Sequence, residues 1–390
     1  ETGFIAVLWC PWTSLRPALR LWPSGDSPSP SPVPLWLYRW LIFRIMLGAG
    51  LIKLRGDPCW TELSCLDHHF ETQPIPGPLS PWFHALPRPL LAAGVVFNHV
   101  AELLVPFMVF GPRRLRLIAG VTIVLFQLTL ILSGNLAFLN WLTIVPAIAC
   151  FDDDFLRHLL PPRLQAHLGL DRGPPPEQPP TPRIMRWANY AFAALVLWLS
   201  LPVVANLIGR DQAMNRSYDR LHLVNTYGAF GSIGTRRLEL IIEGSAAESP
   251  AAGDDDWVAY EFRCKPGAVD RRPCWITPYH LRLDWLAWFA ALEVEHGGGL
   301  QREDWMLHLV YKLLQGDPGA RRLLGNDPFP DAPPRWIRIV VYEYHLAPPS
   351  LPWSDAPVWQ RERLGELLPP IRGDDERLLT HLRARGWFSP

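Results

Sequence analysis

Residues 56–84 of the chain read GDPCWTELSCLDHHFETQPIPGPLSPWFH. This stretch is polar and rich in proline, and it contains the closely spaced pair Cys59 and Cys65. It separates two long apolar segments, 36–54 and 90–110. Each is long enough to cross ~30 Å of hydrocarbon, which takes about 20 helical residues. A loop of this length between two spans is expected to have a ligand, a partner or a fold of its own.

The composition also indicates a membrane protein. Of the 390 residues, 49% are hydrophobic, only 19% are charged and 19 are tryptophan. These values suit membrane spans that have aromatic residues at their ends, with membrane lipid as a partner. Because the 37 basic and 37 acidic residues balance, no nucleic-acid partner is expected, since nucleic acid requires a concentrated basic face.

The apolar pattern predicts a membrane domain over residues 36–210. Before it, residues 1–35 are predicted to be the end of a truncated span followed by a connector rich in Pro and Ser, since no initiator Met or complete signal peptide precedes them. Five spans are predicted within the domain, the fourth of them short: 36–54, 90–110, 115–132, 136–150 and 187–208.

Basic residues in short loops predict the orientation of these spans. The turn 111–116 contains Arg113, Arg114 and Arg116, so it is expected to be cytoplasmic. With five spans, the loop 55–87 and everything after residue 210 then lie on the exoplasmic side. Loss of the short fourth span would reverse the side of the C-terminal region.

The cysteines are consistent with this orientation. On an oxidising side, the close-spaced pairs predict two local disulfides, Cys59–Cys65 and Cys264–Cys274. Cross-pairing of the four cysteines stays open. Five intervening residues in the first pair do not match a redox-active Cys-x-x-Cys or a zinc knuckle, so a structural role is favoured over a catalytic thiol.

Residues 211–390 are predicted to form an exoplasmic α+β domain. Segments around 238–242, 258–264 and 337–341 alternate apolar and polar residues, which is typical of strands in an antiparallel or mixed sheet. Helical patterns lie between the second and third of these segments, at 281–292 and 305–314. The aromatic residues of the first helix are interpreted as core or membrane-facing packing. The predicted fold is thus a polytopic α-helical membrane bundle followed by this α+β domain.

The second apolar segment contains a candidate polar site inside the membrane, formed by Asn98, His99 and Glu102. His99 and Glu102 are three residues apart and share one helical face. Arg44 on the preceding span is the predicted partner of Glu102. The site is interpreted either as a proton-handling or ligand site or as a structural ion pair. The ion pair is favoured because buried polar groups must find partners whatever else they do.

A second candidate site lies in the loop, where Asp67, His68, His69 and Glu71 form a polar cluster that His84 is able to join. Adjacent histidines point in different directions and make poor co-ligands, so hydrogen bonding is favoured over metal binding. No metal or cofactor is predicted. The sequence also contains no Gly-x-Ser-x-Gly elbow, His-Glu-x-x-His or phosphate loop, so no catalytic residue is assigned.

The loop quoted above resembles the signature loop of the lipase maturation factor family. So does FNHVAELLVPFMVFGPRRLR at 97–116, and similar blocks follow in order at 225–244, 263–292 and 326–344. The resemblance implies a non-enzymatic membrane protein that helps secreted lipases fold and assemble, with a secreted client as its partner. Relatives in animals reside in the endoplasmic reticulum membrane. The arginine-rich composition suggests a bacterial member instead, in the inner membrane with a periplasmic C-terminal domain.

The resemblance also leaves a second function open. The family distantly resembles the helical bundle of vitamin K-dependent carboxylases. A membrane enzyme or ligand-binding protein, with His99 and Glu102 at its site, is therefore the alternative function.

Overall fold

The computed structural model describes residues 1–10, 31–167, 179–250, 255–300, 303–349 and 356–387. The chain divides into two compact units. The first, here called the helical unit, comprises Glu1–Ser64, Ala92–Thr129 and Leu139–Ser232. The second, here called the sheet unit, comprises Cys65–Leu91, Leu130–Phe138 and Ile233–Pro390.

Four helices of the described residues are long and apolar enough to cross a membrane. They coincide with four of the five predicted spans: α2 (Val33–Arg55), α5 (Arg88–Met108), α6 (Arg113–Ser133) and α10 (Arg183–Ile208). The remaining predicted span, 136–150, contains a shorter apolar helix, α7 (Leu139–Cys150). At 1.5 Å per residue α7 extends about 18 Å, which is less than the ~30 Å of a hydrocarbon core.

The other helices of this part of the chain are short: α1 (Thr2–Trp9), α3 (Leu66–Thr72), α4 (Ser80–His84), α8 (Asp153–Leu159) and α9 (Pro162–His167).

Helix α5 contains one turn of π-helix, Val100–Leu104. Pro106 follows two residues later. A proline inside a helix lacks an N–H, and its ring clashes with the carbonyl four residues earlier, here that of Glu102. A wider π-turn relieves such a clash, and π-turns of this kind are often found at functional sites. The proline thus explains why the helix is irregular around Glu102.

The C-terminal strands form one antiparallel sheet in the order β2-β1-β3-β4, which confirms the predicted α+β class. The strands are β1 (Leu238–Ser245), β2 (Val258–Tyr260), β3 (Trp336–Leu346) and β4 (Trp359–Ile371). Four helices accompany them: α11 (Arg282–Glu295), α12 (Asp304–Leu314), α13 (Pro318–Leu323) and α14 (Glu376–Ala384).

Both faces of the sheet are covered. On one face Leu240 and Ile339 pack with Ala287 of α11 and Val310 of α12. On the other face Ile241, Val340 and Tyr344 pack around Trp359. Strand β1 is therefore buried along its whole length, although its sequence alternates apolar and charged residues. Its charged residues must find partners inside the protein.

Candidate functional site

The polar cluster of the membrane helices is a closed ion pair. Lys53 of α2 places its Nζ 2.7 Å from both carboxylate oxygens of Glu102 on α5. The same Nζ donates to Asn98 Oδ1 at 2.8 Å, and Asn98 Nδ2 donates to Glu102 Oε2 at 3.1 Å. All three residues are buried. Each charge therefore has a partner, which a pair inside hydrocarbon needs in order to persist.

The predicted pairing of Arg44 with Glu102 is wrong. Arg44 forms an ion pair with Glu1 and donates to the carbonyl of Asn225 at 2.8 Å. Arg44 and Lys53 are nine residues apart on α2, and at 100° per residue nine residues place them on opposite faces of the helix. The face that meets α5 is that of Lys53.

A close contact between α2 and α5 brings the two charges together. A Cβ added at Gly50 of α2 would lie 2.9 Å from Glu102 Cβ and 2.7 Å from a methyl carbon of Leu103. Only glycine fits at that distance, and small residues of this kind permit close approach of membrane helices. Gly50 thus sets the separation at which Lys53 reaches Glu102.

Trp60 closes one side of the ion pair. Its ring centroid lies 4.9 Å from Lys53 Nζ, and its indole N–H donates to the carbonyl of Phe230 at 2.9 Å. His99 Nε2 donates to the Trp60 carbonyl at 2.9 Å, because a carbonyl only accepts. His99 therefore positions Trp60. Both carboxylate oxygens of Glu102 accept hydrogen bonds, which favours the structural interpretation.

In the sheet unit, the loop residues separate into different contacts. Glu71 accepts from the backbone N–H of Leu346 at 2.6 Å and lies 3.2 Å from His345 Nδ1 and 3.7 Å from His84 Nε2. Asp67 instead faces Arg88 at 3.8 Å. The structure thus brings Glu71 and His84 together and places Asp67 in another contact.

The two adjacent histidines make no common site. The ring of His69 is buried and contacts Phe70, while His68 is half-buried. Within the described residues, no group of three or more His, Cys, Asp or Glu side chains has the geometry to hold a metal ion. The histidines contribute to packing and hydrogen bonding of the loop.

The residues that hold the loop were not predicted. Arg237, just before β1, donates from Nη1 to the carbonyls of Glu71 and Gln73, both at 2.6 Å. Its Nε donates to Glu239 at 2.8 Å, and Glu239 also pairs with Lys265. All three charged side chains are at most 2% exposed. The only sequence signal was the charged pair in RRLEL, which also suits an exposed strand face.

Burial dominates the electrostatics of this cluster. It lowers the pKa of Arg237 to about 9 and lowers the pKa of Lys265 below its usual range, because desolvation disfavours the charged form. Arg237 still carries its charge at neutral pH. A charged guanidinium is required to bind two carbonyls and a carboxylate at once.

A third set of contacts fixes the loop to the end of a membrane span. Gln73 Nε2 donates to the carbonyl of Ser133, the last residue of α6, at 2.9 Å. Ser80 Oγ donates to the same carbonyl at 2.6 Å. A Cβ at Gly134 would overlap Gln73. The loop segment 65–91 therefore lies in the same unit as the C-terminal sheet.

Cys264 and Cys274 form a disulfide with their Cα atoms 5.7 Å apart. Asp284 of α11 accepts from the backbone N–H groups of Cys264 and Lys265 at 2.7 and 2.9 Å. Cys59 and Cys65 are also disulfide-bonded, whereas Cys10 and Cys150 are free.

Two family models match successive parts of the chain. The lipase maturation factor transmembrane domain matches residues 1–158, and the lipase maturation factor C-terminal domain matches residues 223–369. The chain belongs to the lipase maturation factor family. It is accordingly an integral membrane protein.

Individual members of the family are similar along the whole chain. Lipase maturation factor 1 of Homo sapiens is 45% identical over 403 residues, which cover 100% of this chain and 68% of the human protein. Lipase maturation factor 1 of Mus musculus is 44% identical with the same coverage. Lipase maturation factor 2 of Rattus norvegicus is 29% identical over 491 residues, covering 99% of this chain and 67% of the rat protein.

These relatives are animal proteins and give no support to the bacterial source expected from the composition. No solved structure matches the chain. Within the two family domains, the Lys53–Glu102 pair lies in the transmembrane match, and Arg237, Glu239 and Lys265 lie in the C-terminal match.

Proposed function

We propose that this chain is a membrane-embedded maturation factor for secreted lipases. The observation that carries the proposal is the similarity to lipase maturation factor 1 along the entire chain, at 45% identity to the human protein. Family membership supports the class of activity, and the name of the relatives supports lipases as the client class.

We propose further that the chain acts by binding, not by catalysis. The two buried polar clusters support this, because their charged groups are already paired. Glu102 is bound by Lys53 and Asn98. Arg237 is bound by Glu239 and by loop carbonyls. General acid–base catalysis needs a titratable group that reaches a substrate, and groups closed in this way do not offer one.

The sheet unit is the part of the chain proposed to meet the client. In it the loop segment 65–91, the disulfide-closed segment 264–274 and the sheet form a single folded body. The basic turn at 113–116 begins α6, and the opposite end of α6 belongs to the sheet unit, which supports an exoplasmic position for this unit without counting the short helix α7 as a span. The disulfides support an oxidising compartment. For a eukaryotic source that compartment is the lumen of the endoplasmic reticulum.

The proposal is tested in cells from which the endogenous lipase maturation factors have been removed. This chain is co-expressed with a secreted dimeric lipase, and lipase activity per unit of secreted lipase mass is measured in the medium. Rescue of the specific activity is expected. Arg237→Leu, which removes the loop contacts, is expected to abolish rescue, whereas Arg236→Leu at the neighbouring exposed position is expected to keep it.

A chain that reaches the membrane in normal amounts and leaves the specific activity of every lipase tested unchanged would contradict the proposal. A secreted, disulfide-bonded protein that is not a lipase serves as the control client. Equal rescue of that control would show a general folding factor and not one for lipases.

A further inference from the structure

Three large aromatic side chains of the sheet unit are exposed within residues 275–289, a segment that runs from a loop into helix α11. Trp275 is 47% exposed, Tyr279 is 65% exposed and Phe289 is 48% exposed. The ring of Phe289 lies 6.4 Å from that of Trp285, which in turn lies 5.3 Å from the ring of His280, the residue that follows Tyr279 in sequence. Exposed apolar side chains that lie together mark an interaction surface, whereas single ones are ordinary.

One side of this aromatic set is fixed next to the end of a membrane span. Asn135 lies two residues after α6 ends at Ser133. Its Nδ2 donates to the carbonyl of Cys274 at 2.7 Å, and its Oδ1 accepts from the backbone N–H of Ile276 at 3.1 Å. Trp275 lies between those two contacts. Its backbone is therefore held at the level where α6 leaves the hydrocarbon.

The other side of the set is fixed to the same helix end. Trp288 donates from its indole N–H to the carbonyl of Thr72 at 2.9 Å. The next residue, Gln73, donates to the carbonyl of Ser133 at 2.9 Å. Phe289 follows Trp288 directly and is exposed. Two independent sets of hydrogen bonds thus hold the aromatic residues near Ser133.

Residues at this level meet the headgroup region of a bilayer. Trp and Tyr are enriched there because their rings are apolar and their N–H and O–H groups reach water. Arg282, which is exposed, lies on the same face of α11 as Trp285 and Phe289 by the spacing of three and four residues. An arginine beside aromatic rings suits lipid phosphate.

From this geometry we infer that Trp275, Tyr279 and Phe289 form a lipid-binding face that anchors the sheet unit to the membrane from which α6 emerges. The occupant is the headgroup and upper acyl region of that bilayer. This surface is separate from the polar clusters described above. Anchoring there restricts the orientation of the sheet unit relative to the membrane plane.

The test places a fluorophore on the proposed face of the full chain. A background variant carries Cys10→Ser and Cys150→Ser, which removes the free thiols. Tyr279→Cys and Phe289→Cys are then made separately and labelled with an environment-sensitive dye. Each protein is reconstituted into phosphatidylcholine vesicles, with or without phosphatidylcholine that carries a nitroxide near its headgroup.

Val258→Cys is the matched control. Val258 is 49% exposed in the same unit and pairs with Gly244. Gly244 is six residues along β1 from Leu238, which corresponds to about 20 Å at the rise of a strand. Arg237 holds the Leu238 end of β1 to the loop, so Val258 pairs with the opposite end of the strand. Each labelled variant is used only if it melts at the temperature of the background protein.

Loss of emission from positions 279 and 289 in nitroxide vesicles, with unchanged emission from position 258, is the expected result. Unquenched emission from both 279 and 289 would overturn the inference, as would equal quenching at all three positions. If the dyes at 279 and 289 respond to added lipase and not to the nitroxide lipid, the face is a protein-docking surface and the inference is wrong.

Discussion

Arg237 donates a hydrogen bond to the backbone carbonyl of Glu71 at 2.6 Å, across 166 residues of sequence. The contact makes the loop after the first membrane span a part of the C-terminal fold. Because the same guanidinium also binds Gln73 and Glu239, it determines the position of the loop and that of the strand together. The arrangement of the loop and the strand therefore depends on a residue that is nearly inaccessible to solvent.

Arg237→Leu is expected to destabilise the sheet unit by about 2–4 kcal/mol, since it leaves buried carbonyls without donors and unbalances the charges of Glu239 and Lys265. Thermal unfolding of the purified protein measures the loss, and limited proteolysis within 65–91 reports release of the loop. The control is Arg236→Leu, because Arg236 is exposed and pairs with Glu343 at the surface, so little change is expected. A normal melting temperature for Arg237→Leu would contradict the role assigned to it.

The Lys53–Glu102 pair predicts a different pattern of substitutions. Lys53→Met leaves a buried carboxylate and Glu102→Leu leaves a buried ammonium group, so each is expected to cost about 3–5 kcal/mol. The double variant removes both charges and is expected to recover most of the stability. Thermal unfolding in detergent, followed by size-exclusion chromatography, gives the stability of each single variant and of the double variant. The difference between the double variant and the sum of the single variants is the coupling between Lys53 and Glu102.

The same variants distinguish structure from chemistry. If Glu102→Gln and His99→Ala abolish lipase maturation and leave the melting temperature unchanged, the ion pair is a functional site after all. Parallel loss of stability and activity, with recovery of both in the double variant Lys53→Met and Glu102→Leu, is the result expected of a structural pair.

Much of the architecture was predictable because the signals are long. An apolar run of about 20 residues has few other interpretations, and four such runs form the expected helices. Period-two alternation likewise located β1, β2 and β3. Strand β4 was not predicted, since its charged residues appear on both faces and it is largely exposed. Its identity follows from pairing with β3 and not from its own pattern.

The site was harder to predict than the fold. The partner of Glu102 depends on which face of α2 meets α5, and neither composition nor depth in the membrane determines that rotation. Glu239 looked like a solvent-facing residue of an alternating strand, yet it is fully buried. Only tertiary contacts with Arg237 and Lys265 explain its presence there.

Asp152 gives a prediction about pH. It accepts from the N–H of Phe155 at the start of α8 and binds the Arg113 guanidinium at 2.6 and 2.9 Å. The Arg113 guanidinium and this N–H lower the pKa of Asp152 from 3.8 to about 2. Because the pKa is lower in the folded state, the stabilisation is present above about pH 4 and is lost only as the pH falls through 2.

Asp152→Asn is therefore expected to lower the melting temperature by the same amount at every pH between 5 and 8. The neighbouring substitution Asp153→Asn is the control, since Asp153 is exposed at the start of the same helix. If the difference in melting temperature between Asp152→Asn and the wild-type protein changes with pH across this range, another titrating group controls the contact.

Gly50 tests whether the distance between α2 and α5 determines the ion pair. Gly50→Ala adds a methyl group 2.9 Å from Glu102 Cβ, so the helices must separate or Leu103 must move. Overpacking of this kind is expected to cost about 1–3 kcal/mol. Gly3→Ala is the control, because a Cβ there meets no atom within 4 Å. Equal melting temperatures for the two variants would show that the helices adjust without strain.

Removal of the disulfide between Cys264 and Cys274 provides the last prediction. The bond joins two cysteines that are 10 positions apart in sequence and flank Lys265, and the loss of a cross-link over so short a loop is expected to cost about 2–3 kcal/mol. The double variant Cys264→Ser and Cys274→Ser should release Lys265 from Glu239, so its effect and that of Arg237→Leu are expected to be less than additive. Thermal unfolding of the two variants and of their combination measures the coupling. Full additivity would show that the disulfide stabilises its own segment without supporting the buried charges that hold the loop.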